Sequence, residues 1–169
     1  MVRTAVVVTV PEAEAAVGAV YWSRTRSGRE GLAPHVTLLI PFADSGSVPL
    51  EETQAVLGGF EPFDFELTEV RRFAARDTVL WLAPEPPDPF VAVTQALVRA
   101  FPEFRPYDGA FAEIVPHLTV AIERERPVLD GIERDLAAHL PIRARAEAAT
   151  IVQHVDGRWQ PHSTIPLGG

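Results

Sequence analysis

The sequence predicts an α+β fold with two lobes and a pseudo-two-fold repeat. Strand-like and helix-like segments follow in the same order in both halves, and each half contains one His-x-Thr motif on an apolar run. We expect each lobe to hold an antiparallel or mixed sheet with helices outside, and the motif strands to face a central cleft. The lobes form one domain over residues 1–169, intertwined, with approximate halves 1–75 and 76–169. A single mixed sheet is the alternative.

Residue patterning assigns the elements of the first half. A β-branched run follows Arg3 and indicates a strand, and Pro11 with acidic residues after it is typical of a helix start. Gly58-Gly59 ends a short helix, and apolar alternation from Phe63 indicates a half-buried strand. The predicted order is strand 4–10, helix 11–22, loop 23–33, the motif strand from His35, helix 50–57 and strand 63–73.

The second half repeats this order. Apolar residues at helical spacing follow the Pro-rich turn 84–89, and Asp156-Gly157 is a typical hairpin turn. The predicted order is strand 78–83, helix 88–101, loop 102–115, the motif strand from His117, helix 127–140, one long strand 142–154 and a last strand from Trp159.

The two motifs are the candidate catalytic centre. They read Pro34-His35-Val36-Thr37-Leu38 and Pro116-His117-Leu118-Thr119-Val120. Because side chains alternate along a strand, the His and Thr of each copy share one face and the aliphatic residue between them points to the other. One such His is more often a hydrogen-bonded core residue, but the repetition in both halves favours a symmetric acid–base site.

A third copy, His162-Ser163-Thr164, is weaker. Its middle residue is polar, its run is interrupted by Pro166, and the two-half organisation leaves it without a counterpart. We predict that His35 and His117 form the catalytic pair, and that His162 contacts substrate at most from the rim of the cleft.

Composition excludes several function classes. The chain has no cysteine, which excludes disulfides and cysteine nucleophiles. All 15 basic residues are arginine, so a lysyl-adenylate or P-loop lysine is excluded. The net charge of −8 disfavours extended nucleic acid. With no membrane-length apolar run and no signal-peptide pattern at the start, we predict a cytoplasmic monomer that binds a small anionic substrate.

Paired histidines suit phosphoryl transfer. With a pKa near 6.5, one imidazole acts as base while the other, protonated, acts as acid. One removes the proton of the attacking hydroxyl and the other protonates the leaving oxygen, while the Thr hydroxyls donate hydrogen bonds to the phosphoryl oxygens. No metal or other cofactor is required.

The motifs resemble those of the two-histidine (2H) phosphoesterase superfamily, and the segments Pro34–Phe42 and Phe111–Ala121 resemble its bacterial 2′-5′ RNA ligase-like branch. The resemblance implies a bilobal α+β fold with the motifs in the cleft. It implies acid–base roles for His35 and His117 and phosphate contacts for Thr37 and Thr119. The implied substrates are 2′,3′-cyclic phosphates, ADP-ribose cyclic phosphates or 2′-5′ phosphodiesters of a nucleotide or RNA end.

Further substrate-binding candidates flank the motifs. Tyr107 and Arg105 precede the second motif, where Tyr107 has the ring to stack on a base; Phe42 follows the first. Core packing is the alternative for Phe42, and loop anchoring the alternative for Tyr107. The loop arginines Arg24, Arg26 and Arg29 are weaker candidates for phosphate contact.

Two other functions stay open. One is a non-catalytic nucleotide-binding module that uses the same cleft. The other is a metal hydrolase with both motif histidines as ligands, for which the sequence offers no H-x-H or H-E-x-x-H spacing.

Overall fold

The computed structural model describes residues 1–110 and 113–169; Phe111, at the start of the second family-like segment, lies outside them. The strands are β1 (Thr4–Thr9), β2 (His35–Leu39), β3 (Phe63–Phe73), β4 (Thr78–Glu85), β5 (Leu118–Glu123), β6 (Ile142–Ala146), β7 (Ala148–Val155) and β8 (Arg158–Pro166). The helices are α1 (Glu14–Arg24), α2 (Arg26–Arg29), α3 (Leu50–Gly58), α4 (Asp88–Ala100) and α5 (Arg126–Ala137).

The sheet consists of two four-stranded groups that meet at the motif strands. Its strand order is β6-β3-β4-β5-β2-β1-β7-β8, and every pairing between the described strands is antiparallel. One register pair, Val36 with Leu118, joins β2 to β5. The predicted α+β class with two related lobes is therefore confirmed. We call β2-β1-β7-β8 the N-lobe and β5-β4-β3-β6 the C-lobe.

The two halves of the chain exchange strands between the lobes. Strand β3, from the first half, pairs with β4 and β6 in the C-lobe, whereas β7 and β8, from the second half, pair beside β1 in the N-lobe. The prediction of one long strand over 142–154 is therefore wrong. The strand is interrupted at Glu147, because β6 belongs to the C-lobe and β7 to the N-lobe.

The two faces of the sheet have different roles. One face packs under the helices in a large core that includes Val36, Leu118 and Phe90. On the other face of the N-lobe a smaller cluster contains Ala5, Val7, Leu32, Val152 and Trp159. Alternation along β1 and β2 separates these faces, which leaves the motif side chains opposite the main core. Within the described residues, no helix is long and apolar enough to cross a membrane.

Candidate active site

A cavity of about 200 Å³ lies where the two lobes meet, on the face away from the main core. Both motifs contribute their polar residues to its lining: His35, Thr37, His117 and Thr119. The remaining lining residues are Ala5, Val7, Tyr21, Thr25, Arg26, Ser27, Leu32, Ile40, Tyr107, Ile122 and Trp159. None of these is a carboxylate, and Arg26 is the one arginine, so the lining suits an anion.

The pairing of Val36 with Leu118 determines how the four motif residues are arranged. Both residues are 0% exposed and point into the main core. Val36 and Leu118 are the one register pair between the two strands, and on an ideal continuation of that register Thr119 is the position opposite His35 and His117 the position opposite Thr37. In such a register the two histidines are diagonal neighbours, roughly 7–8 Å apart. All four polar residues line the same cavity.

The two imidazoles are held in the same way. Nδ1 of His35 lies 2.8 Å from the Ala33 carbonyl oxygen, and Nδ1 of His117 lies 2.8 Å from that of Val115. A carbonyl only accepts hydrogen bonds, so Nδ1 carries the proton in both rings. In the neutral form Nε2 therefore bears the lone pair. Among the described residues neither Nε2 has a hydrogen-bond partner, nor does the hydroxyl of Thr37 or Thr119.

The proline before each histidine favours this arrangement. Pro34 and Pro116 have no N–H, and the residue before a proline is held in an extended conformation. The carbonyls of Ala33 and Val115 are thus available to the imidazole two residues later.

Burial lowers the pKa of both histidines, because an imidazolium loses hydration there. The pKa of His35 falls from 6.5 to about 4, against the opposing effect of its bond to Ala33 and with a smaller contribution from His117. The pKa of His117 is also lowered, mainly by burial. In the free protein both imidazoles are consequently neutral at pH 7, and an anion bound between them would favour protonation.

Tyr21, on helix α1, contacts His35 and the backbone just before it. Its hydroxyl donates to the carbonyl of Leu32 at 2.7 Å and lies 3.4 Å from Nδ1 of His35. The side chain is 1% exposed, and burial raises its pKa. Tyr21 therefore stays neutral and fixes the segment that carries His35, without titrating near neutral pH.

Aromatic rings surround His117 instead. Phe73 and Trp81 stack with centroids 4.5 Å apart, and each meets the imidazole edge to face, at 5.2 and 5.8 Å. Trp81 is opposite Thr119 in the register of β4 and β5. Its indole N–H is the one buried side-chain polar group in the described chain without a hydrogen-bond partner. The two histidines are thus held by different neighbours.

Of the predicted substrate-binding residues, Tyr107 lines the cavity and three others do not. Phe42 is 5% exposed and packs edge to face against Phe101 and Phe104 in the main core. The Arg105 side chain lies against Gly109, within the loop that precedes the second motif. His162 interacts with Ser163 Oγ at 2.7 Å and with the Ser45 carbonyl at 3.2 Å. Substrate contact by any of these residues stays a prediction.

Tyr107 enters the cavity from a constrained turn. Tyr107 and Asp108 have φ angles of 51° and 55°, in the left-handed region that non-glycine residues rarely adopt. The amide N–H of Tyr107 donates to the Ile40 carbonyl at 2.5 Å, which ties this turn to the end of β2.

Sequence reasoning missed Tyr21, Phe73 and Trp81 as neighbours of the site, whereas Trp159, for which the sequence left open lining the cleft or covering the last hairpin, lines the cavity. Tyr21 follows Val17 by one helical turn, and this spacing predicts a shared buried face. Phe73 and Trp81 are brought to the site by cross-strand pairing, for which single-strand patterns give no signal. Of the three loop arginines, Arg26 reaches the lining and bonds Glu30 at 2.9 Å, whereas Arg24 bonds Glu123 at 2.6 Å.

In the part of the chain that the structure describes, no group of three His, Cys, Asp or Glu side chains is placed to bind a metal ion. His35 and His117 have no carboxylate beside them in the cavity lining.

Known structures share this architecture. TT0787 of Thermus thermophilus is 16% identical with a TM-score of 0.69, over 99% of this chain and 98% of that one. Escherichia coli LigT in complex with 3′-AMP is 17% identical with a TM-score of 0.62, over the same shares. Kluyveromyces marxianus Usb1 is 13% identical with a TM-score of 0.51, over 98% and 97%. At these identities the likeness shows the fold.

A comparison with curated protein sequences finds no match. A family model, however, matches residues 10–158, a span that includes both His-x-Thr motifs. Since this match covers most of the sequence and the fold agrees with it, the chain belongs to the 2′-5′ RNA ligase superfamily, within the two-histidine phosphoesterases.

Proposed function

We propose that the protein is a metal-independent phosphoesterase that acts on a 2′,3′-cyclic phosphate or a 2′-5′ phosphodiester of a nucleotide or RNA end. The observation that carries this proposal is the pair of imidazoles in one cavity, each with Nδ1 bound to a carbonyl and Nε2 without a partner among the described residues. Such an arrangement provides two nitrogens that exchange protons with a substrate between them.

The reaction needs one proton removed and one supplied. One Nε2 takes the proton of a water or ribose hydroxyl as its oxygen bonds to phosphorus. The other, protonated, gives its proton to the ribose oxygen as the phosphorus–oxygen bond breaks. The anionic phosphate raises the low pKa of an adjacent imidazole, which supports the acid form once substrate is bound. When the nucleophile is an RNA hydroxyl that attacks a 2′,3′-cyclic phosphate, the same two proton transfers form a phosphodiester and open the cyclic phosphate.

The two threonines complete the site. Thr37 and Thr119 each have a hydroxyl without a protein partner among the described residues, and each lines the cavity together with both histidines. Hydroxyl donors at the non-bridging oxygens stabilise the charge that develops there. Thr37→Val and Thr119→Val keep the shape and remove the donor, so each is expected to lower kcat by about tenfold or more.

A substrate panel tests the proposal. Nucleoside 2′,3′-cyclic phosphates, 2′-5′ dinucleotides and 3′-5′ dinucleotides are incubated with the protein, with and without EDTA. We expect turnover of a cyclic phosphate or a 2′-5′ linkage that EDTA does not change. Binding without turnover would instead support a nucleotide-binding module. Activity lost to EDTA and restored by a divalent ion would contradict the metal-independent mechanism.

A further inference from the structure

Each lobe carries a tryptophan with an arginine side chain over its ring. In the N-lobe, Cζ of Arg3 lies 5.5 Å from the ring centroid of Trp159. In the C-lobe, Cζ of Arg71 lies 5.7 Å from that of Trp81. The two pairs are on opposite sides of the motif strands, and their surroundings differ.

The pair in the C-lobe is closed to a ligand. Phe73 stacks on the Trp81 ring, which is 4% exposed. The guanidinium of Arg71 bonds the carboxylate of Glu69 at 2.8 Å, so a neighbouring charge already balances it. Neither an aromatic face nor a free cation is offered on this side.

The pair in the N-lobe differs in its cation and in its place beside the cavity. Trp159 is also largely buried, at 8% exposed, and meets the His154 ring edge to face, but it lines the cavity that holds His35 and His117. Arg3 is exposed, and among the described residues no carboxylate lies within ion-pair distance of its guanidinium. Its N–H donors are therefore available to an anion at the edge of the cavity.

Strand β1 connects the catalytic residues to Arg3. Val7 is opposite Thr37 in the register of β1 and β2, and Val7, Ala5 and Arg3 point to the same face. Four residues of a strand span about 13 Å. A cavity of about 200 Å³ is smaller than most nucleotide-sized sites. A nucleotide whose reacting phosphate lies between the histidines must therefore extend beyond it. Ala5 and Val7 are each 1% exposed beneath Leu32 and Trp159, so a ligand that extends along β1 passes over this cluster toward Arg3.

The two carboxylates near Arg3 and Trp159 are both engaged. Glu30 is bound by Arg26 at 2.9 Å and by His154 at 3.1 Å. Asp44, the bridge partner of Arg3, accepts hydrogen bonds from the backbone N–H groups of Val2 and Gly46. Arg158 adds a second guanidinium next to Trp159, against Gly31 on the loop at the cavity wall. Arg3 and Arg158 are thus the guanidinium groups on this side that no described carboxylate pairs with.

We propose that Arg3 and Trp159 form a second subsite that binds a further phosphate group of the substrate, beyond the one that reacts. This inference rests on the proposed function. The planar guanidinium binds two phosphate oxygens at once, and its contact with the indole ring holds it in place before binding. The preferred substrate then carries at least two phosphates, with the second over the N-lobe.

Three substrates test this inference: adenosine 2′,3′-cyclic phosphate, its 5′-phosphorylated form, and a dinucleotide that ends in a 2′,3′-cyclic phosphate. We expect a higher kcat/KM for at least one of the two-phosphate substrates than for the one-phosphate substrate. Arg3→Gln should lower the ratio of the two kcat/KM values, two-phosphate over one-phosphate substrate, by about tenfold. Arg3→Lys should restore part of this ratio. The slope of log KM against log salt concentration should be smaller by about 0.7 in Arg3→Gln than in wild type. The two-phosphate substrate that is preferred shows whether the second phosphate is a terminal or a bridging group.

Arg71→Gln is the matched control, since it removes the equivalent cation over Trp81 and should leave the ratio unchanged. Isothermal titration calorimetry of wild type and Arg3→Gln, with adenosine 2′-monophosphate and adenosine 2′,5′-bisphosphate as ligands, tests the subsite separately from the proposed catalytic function. Tighter bisphosphate binding that depends on Arg3, without turnover of any substrate, would support the subsite and contradict the catalytic function. Turnover with a ratio that Arg3→Gln does not change would overturn the subsite alone. Neither binding nor turnover would overturn both.

Discussion

The hydroxyl of Tyr21 lies 3.4 Å from Nδ1 of His35 and donates to the carbonyl of Leu32 at 2.7 Å. A helix residue thus fixes the segment that carries one catalytic candidate, whereas aromatic rings of strands β3 and β4 contact the other. The pseudo-symmetric motifs therefore have unequal supports, and the supports can be tested separately from the histidines.

Tyr21→Phe should destabilise the protein by about 1–2 kcal/mol, because it leaves a buried carbonyl without its donor. It should also lower kcat by less than removal of His35 does, since Nδ1 keeps its bond to Ala33. Urea unfolding and kcat measure the two effects. Trp22→Phe is the control: it removes a hydrogen bond to Glu14 at an exposed position and should change neither quantity. A Tyr21→Phe protein as stable as wild type would contradict the supporting role.

Replacing either motif histidine should nearly abolish turnover. His35→Asn and His117→Asn retain a donor near the Nδ1 position and remove Nε2, so each should lower kcat by roughly 10² or more while folding is preserved. Circular dichroism checks the fold, and kcat on any accepted substrate gives the effect. His162→Ala should cost about tenfold or less. An inactive His162→Ala protein beside an active motif variant would show that the catalytic pair is a different one.

The pH profile of kcat/KM should be bell-shaped with its maximum below pH 6.5. That parameter reports the free enzyme, in which the pKa of His35 is lowered to about 4 and the pKa of His117 lies below its usual 6.5. Activity is greatest between the two values, whichever histidine is the acid. Initial rates at low substrate concentration between pH 3.5 and 9 measure the profile. A maximum above pH 7 would be inconsistent with burial of both rings.

Stability should fall in acid partly because of His35. Its pKa is about 4 in the folded protein and near 6.5 in the unfolded chain, so between these values the unfolded chain binds more protons. Stability is full above pH 6.5 and decreases as the pH falls toward 4, by about 2–3 kcal/mol from this group. Unfolding free energies at pH 7 and pH 4.5 should differ less in His35→Asn than in wild type. The exposed His139→Asn should behave as wild type does.

The sequence determined the elements and the catalytic candidates. Alternation along the motif strands separates Val36 and Leu118 from the histidines and threonines, and local pattern is enough to predict it. Most element limits agree within a few residues: β3 begins and ends as predicted, and α4 ends one residue earlier. Two predictions are exceptions: the predicted loop 23–33 contains the short helix α2, and the predicted strand 142–154 is divided at Glu147. Local pattern does not reveal that the chain changes lobes there.

Tertiary structure alone decided what surrounds the motifs. Tyr21 reaches His35 from helix α1, and Phe73 and Trp81 reach His117 from strands β3 and β4, through packing that the pattern of each element does not show. Trp159 reaches the cavity on β8, which pairs in the N-lobe although it belongs to the second half of the chain. The low pKa of His35 also arises there, since it depends on how many atoms replace water around the ring. Periodicity shows which face of its own element a residue occupies. Which residues lie next to that face depends on long-range strand pairing and packing, and these neighbours determine the pKa and the hydrogen bonds of the site residues.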